Sequence, residues 1–168
     1  TPLYSSAASD VYKRQAMPAV ASGYTIRAVR LPEEIEARVE VHRDAFAPSH
    51  MTTRRYEVVQ RMPNYRMELD MVAEAPDGSL AAFCIVWWDA ENRMGLFEPV
   101  GCHSAHRQRG LASAVMIAGM RHLVALGATV AHVCSVRGNQ ASAALYESLG
   151  FHVLDENVAY DWLLQDEE

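Results

Sequence analysis

The chain has 168 residues, half of them apolar and 21% charged, with a formal net charge of −6. That length gives one domain with a substantial core. The acidic balance argues against nucleic acid and anionic membrane surfaces as partners, because both recruit basic surfaces.

The three cysteines, Cys84, Cys102 and Cys134, each sit in an apolar run, and no pair has metal-ligand or redox spacing. They are expected to be buried thiols in a reducing compartment, which with the absence of a signal-like or membrane-length apolar run points to the cytoplasm. Residues 1–23 are expected to form a non-native or disordered leader. Thr1 to Gln15 is polar, rich in small residues and non-periodic, and Met17-Pro18 would suit a native start. The domain is therefore expected over residues 24–168.

Tyr24 to Arg30 alternates and predicts a strand. Pro32 then starts a helix, with Glu33 and Glu34 in its first turn, where the dipole favours negative charge. A second helix runs over about Thr52 to Arg61 and is stopped by Pro63. Arg66–Ala75 and Leu80–Asp89 are β-rich runs joined by the turn Pro76-Asp77-Gly78-Ser79. A third run covers Met94–Cys102. Arg109–Leu126 is apolar on nearly every side, so it predicts a buried helix, closed by Gly127. Thr129–Val136 is a strand. Asn139–Leu149 is a helix capped by Asn139 and Gly150, and Phe151–Leu164 is a last strand. The order predicts an α+β fold, a mixed sheet with helices packed on it, in which the runs flanking the buried helix are parallel neighbours.

The chemistry is expected at Phe97–Ala112, where a strand passes through a turn into the buried helix. Free N–H groups and a positive dipole at such an end suit an anion. Arg107 and Arg109 add charge, and Gly110 lets a ligand approach the backbone. Pro99 cannot donate to a ladder, so a bulge is expected at Glu98–Val100, splaying this strand from Thr129–Val136.

Arg107-Gln108-Arg109-Gly110-Leu111-Ala112 resembles the pyrophosphate loop of GNAT (GCN5-related) N-acetyltransferases, with the pattern Gln/Arg-x-x-Gly-x-Gly/Ala. Asn139 to Phe151 resembles the family's Asn-x-x-Ala-x-x-Leu-Tyr-x-x-x-Gly-Phe segment at Asn139, Leu145, Tyr146, Gly150 and Phe151. One departure is Gln108, where many members carry a small residue.

The resemblance implies the GNAT acyl-CoA N-acyltransferase fold: a mixed, mostly antiparallel sheet with helices on both faces and a splayed central parallel strand pair. It implies acetyl-CoA as co-substrate and an amine acceptor, either a small molecule or a peptide, attacking directly in a ternary complex. The cofactor-binding residues expected on this basis are Val100, Gly101, Cys102, Arg107, Gln108, Arg109, Gly110, Leu111, Ala112 and Asn139. Tyr146 is expected to be the general acid for the leaving thiolate. Glu98, beside the expected bulge and partly buried, is the candidate base, with His103 as a lesser one. His103-x-x-His106 lacks a third ligand, so no metal is expected. Trp87 and Trp88 must face opposite sides of their strand; core is the favoured reading for both, and the alternative is that one of them walls the acceptor pocket. Alternatives to an active enzyme are a non-catalytic acyl-CoA-binding module and one half of a tandem acyltransferase. Homodimerisation is compatible with the resemblance.

Overall fold

A computed structural model describes the backbone of residues 2–8 and, in full, residues 20–156. A seven-stranded sheet has the order β2-β3-β4-β5-β6-β1-β7. Its strands are β1 (Pro2–Ala8), β2 (Thr25–Ala28), β3 (Asp70–Glu74), β4 (Leu80–Asp89), β5 (Met94–Cys102), β6 (Val130–Val136) and β7 (His152–Glu156). The helices are α1 (Ile35–Ala45), α2 (Thr53–Gln60), α3 (Leu111–Ala125) and α4 (Gln140–Ser148).

Every strand pair is antiparallel except β5–β6, the pair joined through α3. α3 and α4 bury Val115, Met116, Met120, Tyr146 and Leu149 against one face of the sheet with Cys84, Trp88 and Phe97. α1 and α2 bury Val39, Val41 and Tyr56 on the other face with Phe83 and Ile85. Helices thus cover both faces, as expected.

Two differences from the sequence expectation have simple causes. Residues 67–69 turn as a short 3-10 segment before β3 instead of extending the strand. Pro2–Ala8, assigned to a leader outside the fold, runs as β1 between β6 and β7, antiparallel to both. Main-chain pairing asks nothing of the side chains, so the open N–H and C=O groups of two strand edges can accept any extended segment. The expected last strand continues to Leu164, and residues 157–164 lie outside the described ones.

The bulge is where expected. Cys84 pairs Val100 and Val86 pairs Phe97, so Glu98 and Pro99 together oppose Ile85. The parallel ladder with β6 runs only from Met94↔Val130 to Phe97↔Val133. Beyond Phe97 the two strands part, and the wedge between them is open.

Gly101 is set by packing. A Cβ there would lie 2.6 Å from Phe83 Cζ and 3.0 Å from Ala45 Cβ at the end of α1. Phe83 cannot yield easily, because the Arg38 guanidinium stacks 3.8 Å above its ring. Gly101→Val is expected to push α1 off the sheet and to cost about 1–3 kcal/mol. A thermal melt checks this, and an unchanged Tm contradicts it.

Candidate active site

The wedge opens into a groove of about 750 Å³. Its floor is the end of β5 (Val100, Gly101, Cys102) and the start of α3, and its far wall is α4 with Asn139, Leu145 and Tyr146. Gly110 is the N-cap of α3 at φ 73°, a left-handed conformation that glycine adopts without a Cβ penalty. It turns Leu111, Ala112 and Ser113 so that the first, intrahelically unpaired N–H groups of α3 border the groove. That end of the helix favours a phosphate.

Of the predicted cofactor residues, Val100, Gly101, Cys102, Arg107, Gln108, Gly110, Leu111, Ala112 and Asn139 line the groove. Arg109 does not. Its Nη1 donates to Tyr24 Oη at 2.8 Å, and Tyr24 Oη is also 2.8 Å from His106 Nδ1. Arg109 thus ties the loop to the segment that leads into β2. This partner is 85 residues away in sequence, which no local pattern reveals. A second tie comes from α1. Ser104 N–H and Oγ–H donate to Asp44 at 2.5 and 2.9 Å, which holds the Asp44 carboxyl below its ordinary range.

Gln108 stands at φ 60°, in the left-handed region where a side chain is strained. This gives the departure noted in the sequence a physical cost. Gln108→Gly is expected to stabilise the protein by up to about 1 kcal/mol. The matching rise in Tm is roughly 2–4 °C. A melt that shifts downward would contradict the strain.

Tyr146 is buried on α4, with its ring edge-on to Phe151, and lines the groove opposite the β5 bulge. Burial pushes its hydroxyl up to about 12, with Cys134, Cys84 and Glu98 contributing further. It therefore holds its proton throughout the neutral range, as a general acid must. Glu98 is close enough to act on Tyr146 electrostatically, yet its side chain is exposed and does not line the groove. The expectation of partial burial fails because the bulge rotates Glu98 outward, while its carbonyl accepts from Trp87 Nε1 at 2.6 Å. Burial pushes the Cys102 thiol up from its ordinary value, so no thiolate is available there as a nucleophile. Asn139 Oδ1 accepts from Ser142 N at 3.2 Å, which caps α4. His103 caps the turn after β5 by accepting from Ala105 N–H at 3.2 Å. No group of three or more potential metal ligands occurs among the described residues.

On the opposite face of β5, sequence reasoning missed a buried polar cluster. Arg38 Nε donates to Asp70 Oδ1 at 3.0 Å, and Tyr56 and Tyr65 donate to Asp70 Oδ2 at 2.5 and 3.2 Å. Arg38 and Asp70 are 1% and 0% exposed. Burial, reinforced by the Asp70 charge, keeps both tyrosines protonated.

A groove floored by a helix start and opened by a bulged parallel pair is the architecture of an acyl-CoA-dependent acyltransferase. The chain belongs to the acetyltransferase (GNAT) family, whose profile matches residues 36–151. It is 28% identical over 164 residues to a mycothiol acetyltransferase of Nocardiopsis dassonvillei, covering 91% of this chain and 50% of that one. It thus spans half the length of that relative. Among solved structures it is similar to a GCN5-related N-acetyltransferase from Sphaerobacter thermophilus (TM-score 0.74, 22% identity, 91% of this chain and 48% of that one). It is also similar to AAC(6')-Iy in complex with a CoA-S-monomethyl-acetylneamine bisubstrate analogue (TM-score 0.69, 19% identity, 85% and 100%). At these identities the structures establish the shared fold.

Proposed function

We propose that the chain transfers an acetyl group from acetyl-CoA to an amine by direct attack in a ternary complex. The observation that carries this reading is the groove itself. It joins an anion-binding helix start, a splayed strand with unpaired backbone groups, and a protonated buried tyrosine.

In this reading the pyrophosphate rests on the N–H groups of Gly110, Leu111 and Ala112 beside Arg107. The pantetheine amides pair with the β5 backbone at Val100 and Cys102 like an added strand. An N–H on that edge also polarises the thioester carbonyl. The neutral amine attacks the carbonyl carbon, and a C–N bond forms as the C–S bond breaks. The departing sulfur takes the Tyr146 proton, the new ammonium gives one up to water or to Glu98, and solvent returns Tyr146 to its protonated form. Cys84 and Cys102 are free thiols, which suits a reducing compartment such as the cytoplasm. No helix among the described residues is long and apolar enough to cross a membrane.

A second reading is favoured by one observation: the chain spans half of its Nocardiopsis relative. In that reading it is one unit of a tandem acyltransferase and binds acyl-CoA without turnover. Calorimetry with CoA, followed by a thiol-release assay with acetyl-CoA and mixed amines, separates the readings. Binding with amine-dependent release is expected. Binding without release supports the module, and absence of CoA binding overturns both.

A further inference from the structure

Behind the groove, between β4–β5 and the pair α1–α2, lies a second and smaller cavity of about 50 Å³. Its wall is almost wholly apolar, formed by Val39, Met51, Val59, Ile85, Trp87 and Pro99. The two spaces back onto each other across β5. Pro99 faces the small pocket and its neighbour Val100 faces the groove. They meet again at the end of α1, where the rings of His42 in the pocket and Phe46 in the groove lie tilted against each other at 4.9 Å. An acceptor seated in the pocket would therefore present its amine at the bulge, where the thioester arrives from the other side.

The pocket is electrically neutral. Asp70, the one buried carboxylate behind it among the described residues, is satisfied by Arg38, Tyr56 and Tyr65. The Arg38 charge is offset by Asp70. Burial, and then the nearby Arg38, lowers His42 from its ordinary value, and its Nδ1 is 3.2 Å from Ser49 Oγ. An ammonium entering this space would find no carboxylate left to pair with. Arg38 borders the pocket but is 1% exposed, so its guanidinium is sealed off from that space.

Resting on the acetyl-transfer reading above, we propose that this pocket receives the part of the acceptor next to its amine. That part is compact, uncharged and apolar, which is the chemistry of a short aliphatic side chain on the carbon that bears the amine. Since one water needs roughly 10–15 Å³ on the same measure, the pocket holds about three to five non-hydrogen atoms. A short aliphatic side chain fits, and a benzyl side chain or an aminocyclitol ring does not. The pocket thus sets the acceptor class against polyamines and aminoglycosides, which bring several ammonium groups and would need acidic walls.

The test is a thiol-release assay of the full chain with acetyl-CoA and a series of amino-acid amides (glycine, alanine, valine, leucine, phenylalanine), against spermidine and kanamycin. Alaninamide or valinamide is expected to exceed spermidine and phenylalaninamide in kcat/KM by at least about tenfold. Val59→Phe, which fills the pocket, should raise KM for valinamide by a similar factor. Met51→Ala, which enlarges it, should shift preference toward phenylalaninamide. CoA affinity by calorimetry serves as the folding control for both variants. Preference for spermidine or kanamycin overturns the proposal while leaving acetyl transfer standing, as does a valinamide KM indifferent to Val59→Phe in a variant that still binds CoA. CoA binding with no turnover on any amine overturns the acetyl-transfer reading itself, and this inference with it.

Discussion

Tyr146→Phe is expected to lower kcat by about 10²–10⁴-fold, the ordinary contribution of a positioned proton donor. KM for acetyl-CoA should change little, because the variant keeps the buried ring that packs on Phe151. The hydroxyl itself borders the open groove, so its removal leaves no large core void. The same residue makes a pH prediction. Because burial raises its hydroxyl to about 12, the acid form persists well above neutrality. Loss of the acid form is a loss on the alkaline side, so no alkaline limb assignable to Tyr146 should appear in the kcat profile below about pH 10. Steady-state kinetics of both proteins over that range provide the check. A Phe variant within threefold of the parent would remove Tyr146 from the proton path.

The second large effect is on stability. Asp70→Ala is expected to cost about 3–5 kcal/mol, because it leaves the Arg38 charge buried without its counter-ion. It also strips the hydroxyls of Tyr56 and Tyr65 of their acceptor. At this chain length that is a fall in Tm of roughly 6–20 °C. Removing the charge from both partners, as in Arg38→Met with Asp70→Asn, should cost less than the sum of the single changes, since neither charge is then left alone. Additive losses in that double-mutant cycle would mean that Arg38 and Asp70 are not coupled. The cluster joins α1, α2 and the start of β3, so its loss should also widen the acceptor-side pocket and blunt discrimination among acceptors.

The elements were legible because their signals are local. β4 and β5 have the bounds that their apolar runs predict. α4 begins beyond the cap at Asn139, and α3 begins at Leu111, where Gly110 turns left-handed, two residues later than the apolar pattern predicts. The anion-binding helix start was legible for the same reason, since Gly110, Arg107 and the strand before them lie within one short segment. Pro99 announced the bulge through the N–H it lacks.

Other features depend on residues distant in sequence. Arg38 and Asp70 lie 32 residues apart, and an arginine within an amphipathic helix reads as exposed until Phe83 and Asp70 are seen to enclose it. Glu98 and Pro99 lie on the same strand, yet only the bulge decides that one side chain faces solvent and the other the small pocket. Arg107 and Arg109 look equivalent in the loop, and only the approach of Tyr24 commits the second to a structural tie.

The sequence by itself determined the order of elements from β2 onward, the parallel pair around α3, the proline bulge and the cap-and-loop chemistry of the groove. Each of these follows from backbone geometry within a few residues. The tertiary structure alone decided which charges are neutralised, which side chains reach the groove, and that a neutral pocket stands behind the bulge. Those outcomes depend on burial and on distances between segments remote in the chain, which local pattern does not carry.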